Sequence, residues 1–126
     1  RAQPIAVLDE TDMRHLAAID GLCHAIGANP AKRWSLAQMA RAVGLSEAHF
    51  GRMFRKYKGV SPMRFLIAAR IGAARDYLRS TDHPIAEIAG FLGYPDPYAF
   101  SHQFKKETGR SPQSFRQARP RDPREA

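Results

Sequence analysis

The chain has little that could tie it together covalently or hold it in a membrane. Cys23 is its only cysteine, so no internal disulfide can form, and such usage fits a reducing compartment. No apolar run approaches the ~18 residues that a spanning helix needs, and no signal-peptide pattern opens the chain. No alternating apolar and polar stretch is long enough to suggest a useful strand. The five histidines (His15, His24, His49, His83 and His102) show no metal-ligand spacing with acids or the cysteine. Cys23 and His24 are sequence neighbours, which does not bring them face to face on a helix. No glycine-rich phosphate loop is present. An enzyme is therefore not expected, nor a metal, a cofactor or a membrane partner. Position 1 is arginine rather than methionine, so the chain is expected to be a fragment or a processed product, with 1–12 as a flexible linker or tail.

Acidic residues are scarce as well. Twenty Lys and Arg face twelve Asp and Glu, giving a net charge of +8 and a pI near 10.3. Residues 32–79 carry 11 basic and 2 acidic side chains, a net of +9, whereas residues 1–31 are at −2, 80–119 at +1 and 120–126 at 0. A general solubility charge would not collect in one segment. The concentration points to a polyanionic partner.

What the chain does have is a sequence that is nearly repeated. LAQMARAVGLSEAHFGRMFRKYKGVSPMRF (36–65) returns as IAEIAGFLGYPDPYAFSHQFKKETGRSPQSF (85–115), with one residue inserted in the second copy. Identities fall at Ala37/Ala86, Ala40/Ala89, Gly44/Gly93, Phe50/Phe100, Phe54/Phe104, Lys56/Lys106, Gly59/Gly109, Ser61/Ser111, Pro62/Pro112 and Phe65/Phe115. Two copies are too few for a solenoid. They suit a duplicated module meeting a duplicated target, and duplex DNA, whose groove recurs each turn, is such a target.

Local signals predict helices throughout. Leu16, Ile19, Leu22/Cys23 and Ile26 recur at helical spacing until Asn29-Pro30. Ser35 with Gln38 is a capping-box pattern opening a short helix through Val43. Gly44-Leu45 turns, and Ser46 caps a helix to about Tyr57 that Gly59 ends. Ser61-Pro62 opens a longer helix to about Arg79, with Phe65, Leu66, Ala69, Ala73, Tyr77 and Leu78 on its apolar faces. The second copy repeats this order: Pro84 opens a short helix to Leu92, Gly93-Tyr94 turns, Asp96-Pro97 starts a helix to about Thr108, and Ser111-Pro112 starts a last one. The expected fold is all-α: two helix-turn-helix subdomains (13–60 and 80–119) joined by a linker helix (61–79), with 120–126 a disordered tail.

A short helix, a glycine turn and a second helix form a unit whose second helix fits a major groove. Phe50, Met53, Phe54 and Tyr57 share one face of that helix, which leaves Ala48, His49, Gly51, Arg52 and Arg55 on the other. Arg52 is the strongest base reader, because its guanidinium can bond guanine O6 and N7 together. In the second copy Phe100 and Phe104 point inward and Pro97, Tyr98, Ser101, His102 and Lys105 outward. His102 stands where Arg52 stands. It lacks the arginine fork, so weaker base discrimination is expected there. Candidates for phosphate contact are Lys32, Arg33, Ser35, Lys56, Lys58, Lys105, Lys106 and Arg110. Of the linker-helix arginines (Arg64, Arg70, Arg75 and Arg79), those not facing DNA are expected to be solvated or paired with Asp76 or Asp82.

These residues resemble the DNA-binding domain of AraC/XylS-family bacterial transcription regulators. The resemblance covers roughly 32–119 and is carried by LAQMARAVGLSEAHFGRMFRKYKGVSP, by the linker-helix pattern from Arg70 to Leu78, and by the second copy with Gly93, Asp96, Phe100, Phe104, Lys105, Lys106, Gly109, Pro112 and Arg116. It implies two modules reading adjacent major grooves, with groove-facing positions at Ala48, Gly51, Arg52, Pro97, Tyr98 and His102. Small side chains at Ala48 and Gly51, and histidine at 102 where arginine is frequent, depart from the family's usual pattern. The resemblance further implies double-stranded DNA as partner, RNA polymerase as a second candidate partner, a sensory domain preceding this one in the full-length protein, and a cytoplasmic, nucleoid-associated setting. As a fragment the chain is expected to be a monomer. The competing reading is a helical interaction module whose basic face binds an acidic protein or RNA.

The linker helix makes the expectation geometric. Roughly sixteen helical residues span about 24 Å, while recognition helices on one face of DNA need centres about one turn apart, ~34 Å or ~10 bp. The target should be an asymmetric stretch of about 15–20 bp bound by one chain, with bending of the duplex making up any shortfall. Inserting five base pairs between its two contacted blocks rotates one by half a turn. Affinity should then drop to that of one module; unchanged affinity would show that only one module reads DNA.

Overall fold

A computed structural model describes residues 9–118. The described chain is helical, with no strand among the described residues: α1 (Glu10–Ala28), α2 (Leu36–Val43), α3 (Glu47–Lys58), α4 (Pro62–Ser80), α5 (Ile85–Phe91), α6 (Pro97–Thr108) and α7 (Pro112–Gln117). Of the segments expected to be tails, residues 1–8 and 120–126 lie outside the described residues, as does Arg119. Residues 10–12, assigned to the linker on sequence grounds, are instead the first turn of α1. Asp9 caps that turn, its carboxylate accepting from the Asp12 N–H at 2.7 Å, and Glu10 and Asp12 favour the positive helix end. The chain forms two compact units. One comprises the residues up to Asn29 with Trp34–Leu66; the other comprises Pro30–Arg33 with the residues from Ile67 on. The boundary falls inside α4.

In the first unit every helix start is set by a short polar side chain. Ser35 Oγ accepts from Gln38 N–H and Gln38 Oε1 accepts from Ser35 N–H, both at 3.0 Å, completing a capping box. Ser46 Oγ accepts from His49 N–H, and Ser61 Oγ from Arg64 N–H, each at 3.2 Å. Such caps are worth ~1 kcal/mol apiece. α1 packs on α2 and α2 on α3. The core between them is Ile19, Leu22, Ile26, Met39, Ala40, Val43, Phe50, Met53, Phe54 and Leu66, all buried. Phe54 sits edge-on to both Phe50 and Phe65, at 5.6 Å between centroids in each case, an arrangement favoured by the ring quadrupoles.

The second unit repeats that construction. Asp96 accepts from Ala99 N–H at 2.7 Å, and Ser111 from Ser114 N–H at 3.1 Å. Phe104 lies between Phe100 (5.8 Å) and Phe115 (5.4 Å). Around them pack Ile71, Ala74, Leu78, Ile88, Ala89 and Leu92. α5 is shorter than expected, ending at Phe91, and Pro84 stands just outside it as a cap residue with no side-chain bond to offer. In α4 the buried stripe is Leu66, Ile71, Ala74 and Leu78, while Phe65, Ala69, Ala73 and Tyr77 are half-buried. Ile71 and Ala74 were not expected on it. The helix serves two cores, so its buried face shifts along its length and a single stripe does not describe it.

Two arginines bind backbone carbonyls of the chain itself. Arg70 Nε donates to Pro30 O at 2.8 Å and its Nη2 to Lys32 O at 3.0 Å. Its guanidinium lies 5.9 Å from the Tyr94 ring, and burial pushes its pKa down from the ordinary arginine value. Arg116 makes the matching contact ahead of α5, with Nη1 on His83 O at 2.6 Å and Nη2 on Thr81 O at 3.2 Å. Each fork holds two carbonyls two residues apart in the segment that leads into a short helix.

Gly44 and Gly93 fill the same turn position, with φ of +82° and +80°, where any other L-residue is strained. They differ in space. A Cβ on Gly93 would lie 2.1 Å from the Ala31 carbonyl oxygen, while one on Gly44 would meet nothing within 4 Å. Gly44→Ala should therefore cost about 1–2 kcal/mol, the conformational term alone. Gly93→Ala should cost about 2–5 kcal/mol, because overpacking against backbone is added. Urea unfolding of both variants measures the difference, and equal losses would remove the steric part of the argument.

Candidate nucleic-acid interface

α3 and α6 each bury one side and expose the other. Phe50, Met53 and Phe54 are inside, while Ala48, His49, Arg52 and Arg55 are exposed and Gly51 half-exposed on the opposite side. On α6, Phe100 and Phe104 are inside, Pro97, Tyr98, His102 and Lys105 are exposed, and Ser101 is half-exposed. Tyr98 is 84% exposed, so its ring has no packing role in the chain. Nothing within 4 Å would meet a Cβ on Gly51, so no close approach inside the protein demands glycine there. His49 stands edge-on to His15 of α1, with ring centroids 6.2 Å apart.

The basic side chains divide by what holds them. Lys32, Arg33, Lys56, Lys105, Lys106 and Arg110 are exposed. Lys56 and Tyr57 are near enough for a cation–π contact, at 5.7 Å. Ser35 uses its oxygen as the α2 cap, which leaves its hydroxyl proton able to donate. Lys58 departs from the reading as a simple phosphate contact. Its ammonium bonds the Asp20 carboxylate, and that hydrogen bond holds its pKa above the ordinary lysine value. Asp20 lies 38 residues earlier in the chain, with no local signal to announce it. Beside α6, His102, Lys105 and Lys106 line a cavity of about 240 Å³. A larger one, about 390 Å³, opens against α3, where Met63 and Leu36 join the residues expected from sequence.

A buried face that fixes each helix, an outward face of polar and small residues, and cations at the helix ends form the geometry of a groove-reading helix pair, made twice. The family description for a helix-turn-helix domain matches residues 39–118. The chain belongs to the AraC/XylS family of helix-turn-helix domains. That is a family of transcription-regulator DNA-binding domains and not an enzyme family. Among curated relatives, the chain is 33% identical over 94 residues to an uncharacterised helix-turn-helix transcriptional regulator, YidL, of Escherichia coli, covering 75% of this chain and 32% of that protein. It is 36% identical over 83 residues to the arabinose operon regulatory protein of the same species, covering 66% and 28%. The chain thus spans less than half the length of these relatives. Among solved structures it is similar to the DNA-binding domain of AdpA, a global transcriptional factor, in complex with a target DNA (TM-score 0.76, 26% identity, 80% of this chain and 91% of that one). It is also similar to the C-terminal domain of AraT, a response regulator from Geobacillus stearothermophilus (TM-score 0.74, 28% identity, 94% and 93%).

Within this AraC/XylS-type domain the two outward faces are chemically unequal. Arg52 offers a planar two-donor fork, whereas the two ring nitrogens of His102 point in different directions and form no such fork. Arg52→Ala should cost roughly 1–3 kcal/mol of binding and relax preference at one guanine; His102→Ala should cost less. Titration against a panel of point-substituted duplexes compares them, and a larger loss for His102→Ala would reverse the ranking.

Proposed function

We propose that the chain is the DNA-reading part of a bacterial transcription regulator, binding double-stranded DNA sequence-specifically with α3 and α6 each in a major groove. The observation that carries this reading is the duplicated face: two helices, each pinned by a Phe pair, present Ala48, His49, Gly51, Arg52 and Arg55 in one case and Pro97, Tyr98, Ser101, His102 and Lys105 in the other. Lys32, Arg33, Ser35, Lys56, Lys105, Lys106 and Arg110 supply phosphate contacts, and Lys58 does so only by leaving Asp20. An exposed pair of that kind is worth no more than about 1 kcal/mol, so a phosphate can compete for it. In functional terms 13–60 and 80–119 are the two reading lobes and 61–79 the helix that joins them. A sensory domain in the full-length protein and RNA polymerase as a second partner belong to the same proposal. With DNA as the partner, the proposed working place is the cytoplasm, on nucleoid DNA. The chain is proposed to act as a monomer.

Selection of bound duplexes from a random library, followed by footprinting, tests the reading directly. An acidic protein or RNA that outcompetes the selected duplex would favour the interaction-module reading instead. Salt gives a second measure. Log affinity should fall with log salt at about −0.9 per phosphate neutralised, hence a slope on the order of −4 to −7. A flat response would contradict groove binding through lysine and arginine.

A further inference from the structure

The cavity of about 390 Å³ on the outward side of α3 is lined largely by apolar groups, although it lies on the face offered to DNA. Ala48 and Gly51 form its α3 wall, and Leu36 with Met63, from the first turns of α2 and α4, forms the other. Met63 is 39% exposed. The opening exists because the α3 side chains are small. A Cβ at Gly51 would still touch nothing within 4 Å, so the gap is real space. Glu47, Arg52, Arg55, Ser61 and Pro62 line it as well. The repeat shows that the fold does not require this surface. In the second copy the positions of Ala48, Gly51 and Met63 hold Tyr98, Ser101 and Gln113, one large and two polar.

Only one apolar group is displayed in the major groove, the methyl on C5 of thymine, with 5-methylcytosine as its modified counterpart. An apolar recess offers phosphate oxygens no hydrogen bond, so the apolar part of a base edge is the fitting occupant. We propose that this recess of the first module reads a pyrimidine C5-methyl group beside the guanine bonded by Arg52, and that Met63 is a specificity-determining residue lying outside the recognition helix. The inference rests on the DNA-binding reading above. The space exceeds the size of a methyl. The group therefore lies against the Ala48–Gly51 wall, and the unbranched thioether of Met63 can adapt to cover it.

The test uses the full chain and a duplex recovered by selection. Each thymine in the block footprinted by the first module is replaced in turn by deoxyuridine, which removes the methyl and nothing else. One position should lose about fourfold in affinity, the worth of one buried methyl. Met63→Gln, which installs the residue of the second copy, should bring that thymine-to-uracil ratio toward one. A parallel set exchanges cytosine for 5-methylcytosine, and a gain confined to that set assigns the recess to the methylated base. If the duplex binds tightly and neither set responds, the recess reads no methyl and the proposal falls. A ratio that survives Met63→Gln unchanged also overturns it, since the methyl is then read elsewhere. Failure to bind any duplex would instead sink the DNA reading itself.

Discussion

The burial of two phenylalanines one helical turn apart is the constraint on which each unit depends. Phe50 and Phe54 are fully buried in one, Phe100 and Phe104 in the other. In each, the second ring of the pair also meets a third aromatic, Phe65 or Phe115, in the helix opened by the next Ser-Pro pair. Truncating such a ring costs about 3–5 kcal/mol, a large share of the 5–15 kcal/mol that holds a domain together. The rings fix the rotation of α3 and α6 about their own axes. Once that rotation is set, the outward residues are decided by the 3.6-residue period alone.

This explains the pattern of what the two copies share. Identity persists at the inward Phe positions, the turn and end glycines, the Ser-Pro starts and the small residues of the bracing helix. It is lost at the pairs 48/98, 51/101 and 52/102, which face out. Substitutions on an exposed helix face change stability by only tenths of a kcal/mol. The outward face could therefore diverge chemically without disturbing the fold, while inside only the ring positions stayed fixed: buried Met53 gives way to half-buried Gln103 in the second copy.

The same physics sorts what the sequence made legible. The helix starts at Ser35, Ser46, Ser61, Asp96 and Ser111 were readable because a cap oxygen and the backbone N–H that donates to it lie three residues apart. The inward and outward faces of α3 and α6 were readable because their rings repeat at i and i+4. Arg70, Arg116 and Lys58 were not. Their partners lie 33 to 40 residues away, and for the two arginines the acceptors are backbone carbonyls, which carry no residue identity. A count of basic residues therefore overstates the side chains available to touch phosphate: Arg70 and Lys58 are engaged within the chain. The recess against α3 was hidden for a related reason. Gly51 and Ala48 were visible as small residues, but the opposite wall, Leu36 and Met63, comes from other helices.

The inequality of the two outward faces bears on how one chain can use both. On the proposed reading the first unit carries the arginine fork and the apolar recess, the two features assigned to telling one base pair from another. The second carries Tyr98, His102 and two adjacent lysines, which suit stacking, single hydrogen bonds and phosphate attraction. Discrimination and retention are separable contributions to occupancy: the first decides where the chain stops, and the second, through affinity that varies little with sequence, decides how long it stays. Covalent linkage makes the second contact effectively intramolecular once the first is made, so a weakly selective module still multiplies the affinity of every site its partner accepts. The cost is that it multiplies near-matches as well. Selectivity is then limited by the differences that Arg52 and its neighbours can enforce, and changes on α3 should redirect binding more than equal changes on α6.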